Sequence, residues 1–241
     1  ETLRDYQIWR HYLGRPVEED VLIYEESDET FSCYVYSSRS EKFIVIGSSQ
    51  TLCDEYRLLL AINPEGSFKL FHPRSRGLEY DLEHHGDRFY LRTNYEAPNF
   101  RLMWVSEERT SISNWKDLLA EREGVYVNDF EVFDNHLVTE ERENGLVKIR
   151  IHETKSGENH EIKFESPAYS AWVGTNLNPK TEWVRYGYSS LKDPESLYEY
   201  NMHSREKRLL KSEQVIGVYD SDLYTTERHF VTVRDGARVP V

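Results

Sequence analysis

A recurring segment, spaced 44 to 50 residues from one copy to the next, constrains the fold of this chain most strongly. Each copy is a short alternation of apolar and polar residues that finishes near a turn, and the copies begin at Tyr6, Tyr56, Phe100, Val147 and Leu197. A period of this size, with four strands to each unit, is the signature of β-propeller blades. A β-sandwich also has short strands at regular intervals, but the period favours an all-β partial propeller.

Further strand-like runs flank each copy, two before it and one after it. They predict two outer strands of a partial blade at residues 1–27, then four complete four-stranded blades at about 28–76, 77–122, 123–166 and 167–213. Residues 214–227 are predicted to be an exit linker, and residues 228–241 to begin another domain. The run "NWKDLLAERE" fits either a strand or a short helical turn capped by Asn114, and its spacing leaves both open.

The composition excludes several classes of protein. Hydrophobic residues make up 38% of the chain and aromatic residues 13%, which is far from the composition of a disordered protein. The formal net charge of −13 repels nucleic acids and anionic membranes, so neither is an expected partner. Two cysteines, Cys33 and Cys53, form neither a disulfide framework nor a zinc motif, which favours a reducing, cytoplasmic location. The sequence shows neither a membrane-spanning apolar run nor a signal-peptide layout.

The sequence offers few candidates for catalysis. The Gly-x-Ser-x-Gly elbow of serine hydrolases is absent, as are phosphate-binding loops and dinucleotide fingerprints. Ser48, Ser49, Ser189 and Ser190 are interpreted as turn residues at strand ends. We therefore predict no catalytic residue and no cofactor-binding residue in this chain.

Two clusters invite a more specific interpretation, which we reject. Adjacent strand residues point to opposite faces, so His84 and His85 are predicted to approach a hairpin rather than to bind a metal with their acidic neighbours Asp81, Glu83 and Asp87. Three carboxylate runs are interpreted as solvated surface rather than as acid–base pairs: Glu18-Glu19-Asp20, Glu25-Glu26, and Glu140-Glu141 with Glu143. Cys33 and Cys53 are expected to be small buried apolar side chains.

The ordered segments carry a family resemblance. "IWRHYLG", "EEDVLIYEESDETF", "SRSEKFIVIGSSQTLCDEYRLL", "HHGDRFYLRTNYEAPNFRL", "ERENGLVKIRI", "RYGYSSLKDPESLYEYN" and "TTERHFVTVRDGARVPV" resemble, in the same order, the propeller of the oligopeptidase B group within the prolyl oligopeptidase family of serine peptidases. The resemblance implies a seven-bladed propeller joined to an α/β-hydrolase domain that carries Ser, Asp and His. It also implies that the early blades before Glu1 and the hydrolase domain after Val241 are missing, so none of the family's catalytic residues is carried over.

The resemblance implies a non-catalytic role. The propeller would restrict a peptidase that cleaves short peptides after Arg or Lys, by excluding folded proteins from the active site. Two alternatives stay open: a stand-alone propeller that binds proteins through its loops, and the propeller of a proline-specific oligopeptidase. The implied partners are the hydrolase domain and short cationic peptides, and the chain alone is expected to be inactive.

Two further expectations concern packing. Trp9, Trp104, Trp172 and Trp183 lie in apolar strand runs and are predicted to be substantially buried. Incomplete blades would leave apolar faces open, and a C-terminal hairpin around Asp235-Gly236 would expose Phe230, Val231, Val233, Val239 and Val241. We therefore expect the chain to self-associate.

Overall fold

The computed structural model describes residues 3–241, whose regular secondary structure is antiparallel β-sheet apart from three short 3-10 turns. The chain divides into two compact units, Glu1–Glu121 and Arg122–Val241. Every four-stranded sheet is made of four strands that follow one another along the chain, as in a propeller blade.

The first unit contains a strand pair and two four-stranded sheets. The pair is β1 (Gln7–Arg10) with β2 (Val21–Glu25). The first sheet comprises β3 (Ser32–Ser37), β4 (Phe43–Gln50), β5 (Cys53–Leu60) and β6 (Lys69–Leu70). The second sheet comprises β7 (Tyr80–His85), β8 (Arg88–Thr93), β9 (Arg101–Ser106) and β10 (Lys116–Leu119).

The second unit contains two four-stranded sheets and a hairpin. One sheet comprises β11 (Val125–Val132), β12 (His136–Glu143), β13 (Leu146–Glu153) and β14 (Asn159–Glu161). The other comprises β15 (Tyr169–Val173), β16 (Trp183–Ser190), β17 (Ser196–Asn201) and β18 (Lys207–Ser212). The hairpin pairs β19 (Phe230–Thr232) with β20 (Arg238–Pro240).

These sheets confirm the predicted fold class of four complete blades and two strands of a fifth. The segment around Lys116 is a strand, and a single 3-10 turn, Ile112–Asn114, precedes it. The last strand of the third sheet is Asn159–Glu161. Among residues 3–241, no helix is both long and apolar enough to span a bilayer.

Each unit has its own aromatic core. In the first unit Phe71, Tyr80 and Phe89 pack around Trp115, whose ring centroid lies 5.5 Å from that of Tyr80. In the second unit, alternate β16 residues pack with the apolar face of β12 and β13, and Tyr186 is fully buried. Alternation along a strand therefore supplies one apolar face to each core.

Two blades each contain a glycine that leaves room for an aromatic ring on the neighbouring strand. Tyr34 pairs across the sheet with Gly47, and Trp172 pairs with Gly187. A Cβ atom added to Gly47 would lie 2.5 Å from the Tyr34 ring, and one added to Gly187 would lie 2.1 Å from the Trp172 ring. In both sheets the aromatic ring therefore occupies the space above the glycine backbone.

The tryptophan prediction is wrong for Trp9, which is 54% exposed. A register shift between Ile8 and Trp9 interrupts the alternation of β1, and a bulge of this kind redirects side chains. Trp104, Trp172 and Trp183 are only partly buried. The deeply buried indole is that of Trp115, at 7% exposed.

Candidate functional site

Ser48 and Ser49 lie within β4 and not in a turn, whereas Ser189 and Ser190 end β16, where Ser190 Oγ accepts hydrogen bonds from the N–H groups of Lys192 and Asp193 as a turn residue does. Ser48 is fully buried in β4, and its Oγ lies 3.1 Å from the hydroxyl of Tyr24. Ser49 donates a hydrogen bond to Asp54. Ser190, the last residue of β16, donates to Asp193 at 2.6 Å. These contacts hold neighbouring segments together and bring none of the serines next to a histidine.

The two histidines occupy the end of a hairpin strand, as predicted. His84 and His85 are the last residues of β7, and the chain turns at Gly86, whose φ is +66°. The His84 ring lies edge-on to the rings of Phe43 and Phe89. Within residues 3–241, no group of three or more His, Cys, Asp or Glu side chains is arranged to hold a metal ion.

A serine, a histidine and a glutamate do meet at His84, although sequence reasoning missed them. Ser40 Oγ lies 2.6 Å from His84 Nδ1, and Glu107 Oε1 lies 3.4 Å from His84 Nε2. The His84 side chain is wholly buried, and burial lowers its pKa. The backbone N–H of Lys42 also donates to Ser40 Oγ, and the N–H of Ser40 donates to the His84 carbonyl. The trio therefore fastens the β3–β4 loop to β7.

The interpretation of Glu25-Glu26 as solvated surface is wrong for Glu26, which is 3% exposed. Arg74 ion-pairs with Glu26 and lies 3.4 Å from Glu55, a second buried carboxylate. Burial alone would raise the pKa of Glu26, but hydrogen bonds from Arg74 and the Asp28 backbone outweigh it and lower the pKa to about 2. This buried ion cluster links the β1–β2 pair to the first four-stranded sheet.

The interpretation is also wrong for Glu141, which is 1% exposed. Arg122 and Arg150 contact its two carboxylate oxygens at 2.5 and 3.2 Å, and the Thr139 hydroxyl donates to it at 2.8 Å. Burial lowers the pKa of the adjacent His152 to about 4, so this imidazole is neutral near pH 7. In both clusters arginine side chains balance the charge of a buried carboxylate, which is a structural arrangement.

Both cysteines are free thiols in buried positions. Burial raises the pKa of Cys33 and of Cys53, so the thiol form is favoured over the reactive thiolate. Both positions agree with the predicted role of small apolar side chains.

The first strand of each four-stranded sheet forms one edge of that sheet, and we call β3, β7, β11 and β15 the first-strand edges. Polar side chains are displayed there. On β7, Asp81 is exposed and pairs with Arg92 at 2.8 Å. Glu83 accepts hydrogen bonds from the N–H groups of Arg39 and His84, and burial raises its pKa. On β11, Asp129 is also exposed. These edges can present carboxylates and backbone groups to a passing peptide.

Comparisons with known proteins give this architecture a family. Residues 1–213 match the model of the prolyl oligopeptidase N-terminal β-propeller domain. The whole chain is 39% identical to dipeptidyl aminopeptidase BI of Pseudoxanthomonas mexicana and 32% identical to protease 2 of Moraxella lacunata, covering 33% and 34% of those proteins. The chain thus spans about a third of the length of the curated relatives it matches.

The structural comparison agrees over nearly the whole chain. Oligopeptidase B from Leishmania major superimposes with a TM-score of 0.90 at 27% identity, over 99% of this chain and 35% of that one. Oligopeptidase B from Trypanosoma brucei gives a TM-score of 0.89 at the same identity. In all these relatives the matching segment is one part of a longer chain. The chain described here therefore belongs to the prolyl oligopeptidase family, as part of its N-terminal β-propeller domain.

Proposed function

We propose that this chain is the non-catalytic propeller part of a peptidase that hydrolyses short peptides after Arg or Lys, and that the propeller limits access by size. The observation that carries the proposal is the similarity to oligopeptidase B over 99% of the chain with a TM-score of 0.90. The partner of the propeller is then an α/β-hydrolase domain that supplies the nucleophile, its base and the oxyanion-binding groups.

Charge supports the proposed preference for cationic peptides. The net charge of −13 attracts cations, and the first-strand edges display carboxylates such as Asp81 and Asp129. Attraction of this kind raises the rate of encounter and weakens as salt screens it. A rigid propeller with a narrow entrance admits an extended peptide but excludes a folded domain.

The test uses a longer peptidase that contains this segment. One Arg-containing sequence is offered as a free peptide, within a loop of a folded protein, and within the same protein after denaturation. We expect rapid cleavage of the free peptide and of the denatured protein, and little cleavage of the folded one. Equal cleavage of all three would overturn the size limit. Replacing Arg by its neutral isostere citrulline should abolish cleavage if the preference is for basic residues.

A second candidate activity has its own support. The relative that is 39% identical over the whole chain carries the name dipeptidyl aminopeptidase. Peptidases with this activity remove dipeptides from a free amino end. Blocking the amino group of a peptide substrate therefore distinguishes dipeptide release from internal cleavage after Arg or Lys. Cleavage that survives N-acetylation supports the internal cleavage proposed above, and loss of cleavage supports dipeptide release.

We also propose that the isolated chain self-associates and works in a reducing compartment such as the cytoplasm. Five apolar residues in and next to the hairpin are each 40–66% exposed: Phe230, Val231, Val233, Val239 and Val241. Exposed apolar strands recruit partner strands from other chains. Sedimentation should show concentration-dependent oligomers that become weaker when residues 228–241 are removed. A monomer at all concentrations would contradict self-association. The location follows from the two free thiols and is tested by imaging the tagged protein.

A further inference from the structure

The second unit contains a cavity of about 700 Å³ that the arguments above do not use. It lies between the segment that follows β14, strands β17 and β18, and the residues before the C-terminal hairpin. Its walls include Phe164, Tyr188, Ser196, Tyr198, Lys207 and Thr226. This volume falls within the range of pockets that bind small ligands.

Lys207 is the cation of this cavity. Its ammonium lies 4.2 Å from the ring centroid of Tyr198 and 6.0 Å from those of Tyr186 and Tyr188. Among residues 3–241, no carboxylate lies within ion-pair distance of this ammonium, and Glu165 is the acid that influences it from farther away. Burial lowers the pKa of Lys207, as expected for a cation that lacks a direct counter-ion.

A flat apolar wall stands beside this cation. The rings of Phe164 and Tyr188 are stacked, with centroids 5.4 Å apart and planes 10° from parallel. Tyr169 adds a third ring, 4.6 Å from that of Phe164. An aromatic or aliphatic side chain of a ligand can pack on such a surface.

Hydroxyl groups complete the lining. Ser196 is 7% exposed, and its Oγ contacts the Pro194 carbonyl and the Ser212 hydroxyl at 3.0 and 2.9 Å. Thr226 is 8% exposed, and its buried Oγ1 has no hydrogen-bond partner among the described residues. An unsatisfied buried hydroxyl is costly, which favours a ligand or water that supplies the missing bond.

Four charged residues line the cavity: Lys192, Lys207, Glu165 and Asp193. The carboxylate of Asp193 is turned towards the hydroxyls of Ser190 and Tyr188, at 2.6 and 3.3 Å. Lys192 contributes a second ammonium to the lining. At physiological salt the screening length is about 8 Å, so charged groups farther than this from the Lys207 ammonium repel a bound anion only weakly.

We propose that this cavity binds the C-terminal carboxylate of a short peptide, with Lys207 as the counter-ion and the Phe164–Tyr188 wall against the last side chain. The inference rests on the proposed function for the source of the ligand, because cleavage after Arg or Lys releases a C-terminal fragment that keeps the carboxylate and the last side chain of the substrate. The cavity then holds a product or the tail of a substrate away from the reacting bond.

The test is a binding measurement that needs no activity. N-acetyl-alanyl-phenylalanine and its C-terminal amide are titrated by NMR into the 241-residue chain. We expect the acid to bind about tenfold more tightly than the amide, since a hydrogen bond to a charged group contributes about that factor. Lys207→Met should remove this difference, and Lys207→Arg should restore most of it. Acetate alone should bind more weakly than the dipeptide acid.

Lys116→Met is the matched control, because Lys116 also lies over an aromatic ring, 5.0 Å from the centroid of Trp104. It should leave both affinities unchanged. Equal binding of acid and amide, or undiminished acid binding by a folded Lys207→Met protein, would refute the site. The comparison of free, folded and denatured substrates can contradict the proposed function while carboxylate binding persists. Carboxylate binding can likewise be absent while the size limit holds, so the two proposals are tested separately.

Discussion

The guanidinium carbon of Arg74 lies 3.9 Å from the centroid of the Phe31 ring, so one side chain combines a cation–π contact with an ion pair to Glu26. Glu26 and Glu55 are 3% and 5% exposed, and Arg74 contacts both. Arg57 also ion-pairs with Glu55 and donates to the Tyr24 hydroxyl, so two arginines connect the β1–β2 pair to the first sheet.

Replacing Arg74 by Met should destabilise the chain by about 3 kcal/mol, because the buried carboxylate of Glu26 loses its counter-ion. Urea denaturation measures the change. Arg208→Met is the control: Arg208 also lies over an aromatic ring, 3.9 Å from the centroid of Trp183, and pairs with Glu206, but at the surface. Its cost should stay below about 1 kcal/mol. Adding Glu26→Gln to Arg74→Met should recover part of the loss, and similar costs for both arginines would contradict the argument.

Stability should fall in acid partly because of Glu26. Its pKa is about 2 in the folded chain, below its value of about 4.3 in an unfolded one. The folded state therefore binds this proton less tightly, so the contribution is fully present above pH about 4.5 and is lost as the pH falls towards 2. Glu26→Gln should flatten the stability curve over that range. An unchanged slope would show that other carboxylates dominate.

Asp54 should have the opposite effect. Burial raises its pKa to about 6, although Ser49 and the Tyr80 N–H donate hydrogen bonds to it. The folded state then binds this proton more tightly than the unfolded state, so stability decreases as the pH rises from about 4 to about 6. Asp54→Asn should stabilise the chain at pH 7 by about 1–2 kcal/mol. The exposed Glu108→Gln serves as control and should change little, and loss of stability in Asp54→Asn would contradict the prediction.

Gly187→Ala should force the Trp172 ring out of place and cost about 1–3 kcal/mol. The added methyl would lie 2.1 Å from that ring. Gly174→Ala is the matched control in the same unit, since its nearest neighbour would be an ordinary 3.4 Å away. A double-mutant cycle with Trp172→Ala should show strong coupling, because removing the ring removes the clash. Additive effects would mean that the strain lies elsewhere.

The chain alone should not hydrolyse peptides, even though Ser40, His84 and Glu107 adjoin one another. His84 is buried, and two backbone contacts fix Ser40 in place. Chromogenic peptides with Arg or Lys at the cleavage point should remain intact, and Ser40→Ala should change stability rather than activity. Turnover that persists through purification and disappears in Ser40→Ala would overturn this assignment.

The architecture could be predicted because the local alternation of apolar and polar residues indicates where the strands lie. Strands such as β7, β8 and β13 alternate apolar and polar residues, turn residues separate the strands, and the repeat then groups them in fours. The hairpin position of His84 and His85 followed from the same rule, since neighbouring strand residues face opposite sides.

The ion clusters could not be predicted in this way. Glu26 and Glu141 each follow another glutamate. An acidic run that is fully exposed has the same sequence as one in which a single carboxylate is buried, so the sequence does not distinguish them. Their neutralising partners Arg74 and Arg122 come from distant or separate segments, so burial depended on tertiary contacts. Trp9 was mispredicted because a bulge changed the face on which it lies. The Lys207 cavity combines four separate segments and has no sequence motif.

The contact between the hairpin and the β12–β13 turn has a consequence for the order of folding. The Arg228 guanidinium donates to the Asn144 carbonyl, a contact across 84 residues, and Pro240 lies over Gly145, where a Cβ would come within 2.9 Å of the proline ring. Each four-stranded sheet, by contrast, forms between consecutive strands and closes only short loops. Because the entropy lost on closing a loop grows with its length, the sheets should form first and the hairpin should dock last, onto a turn that is already built.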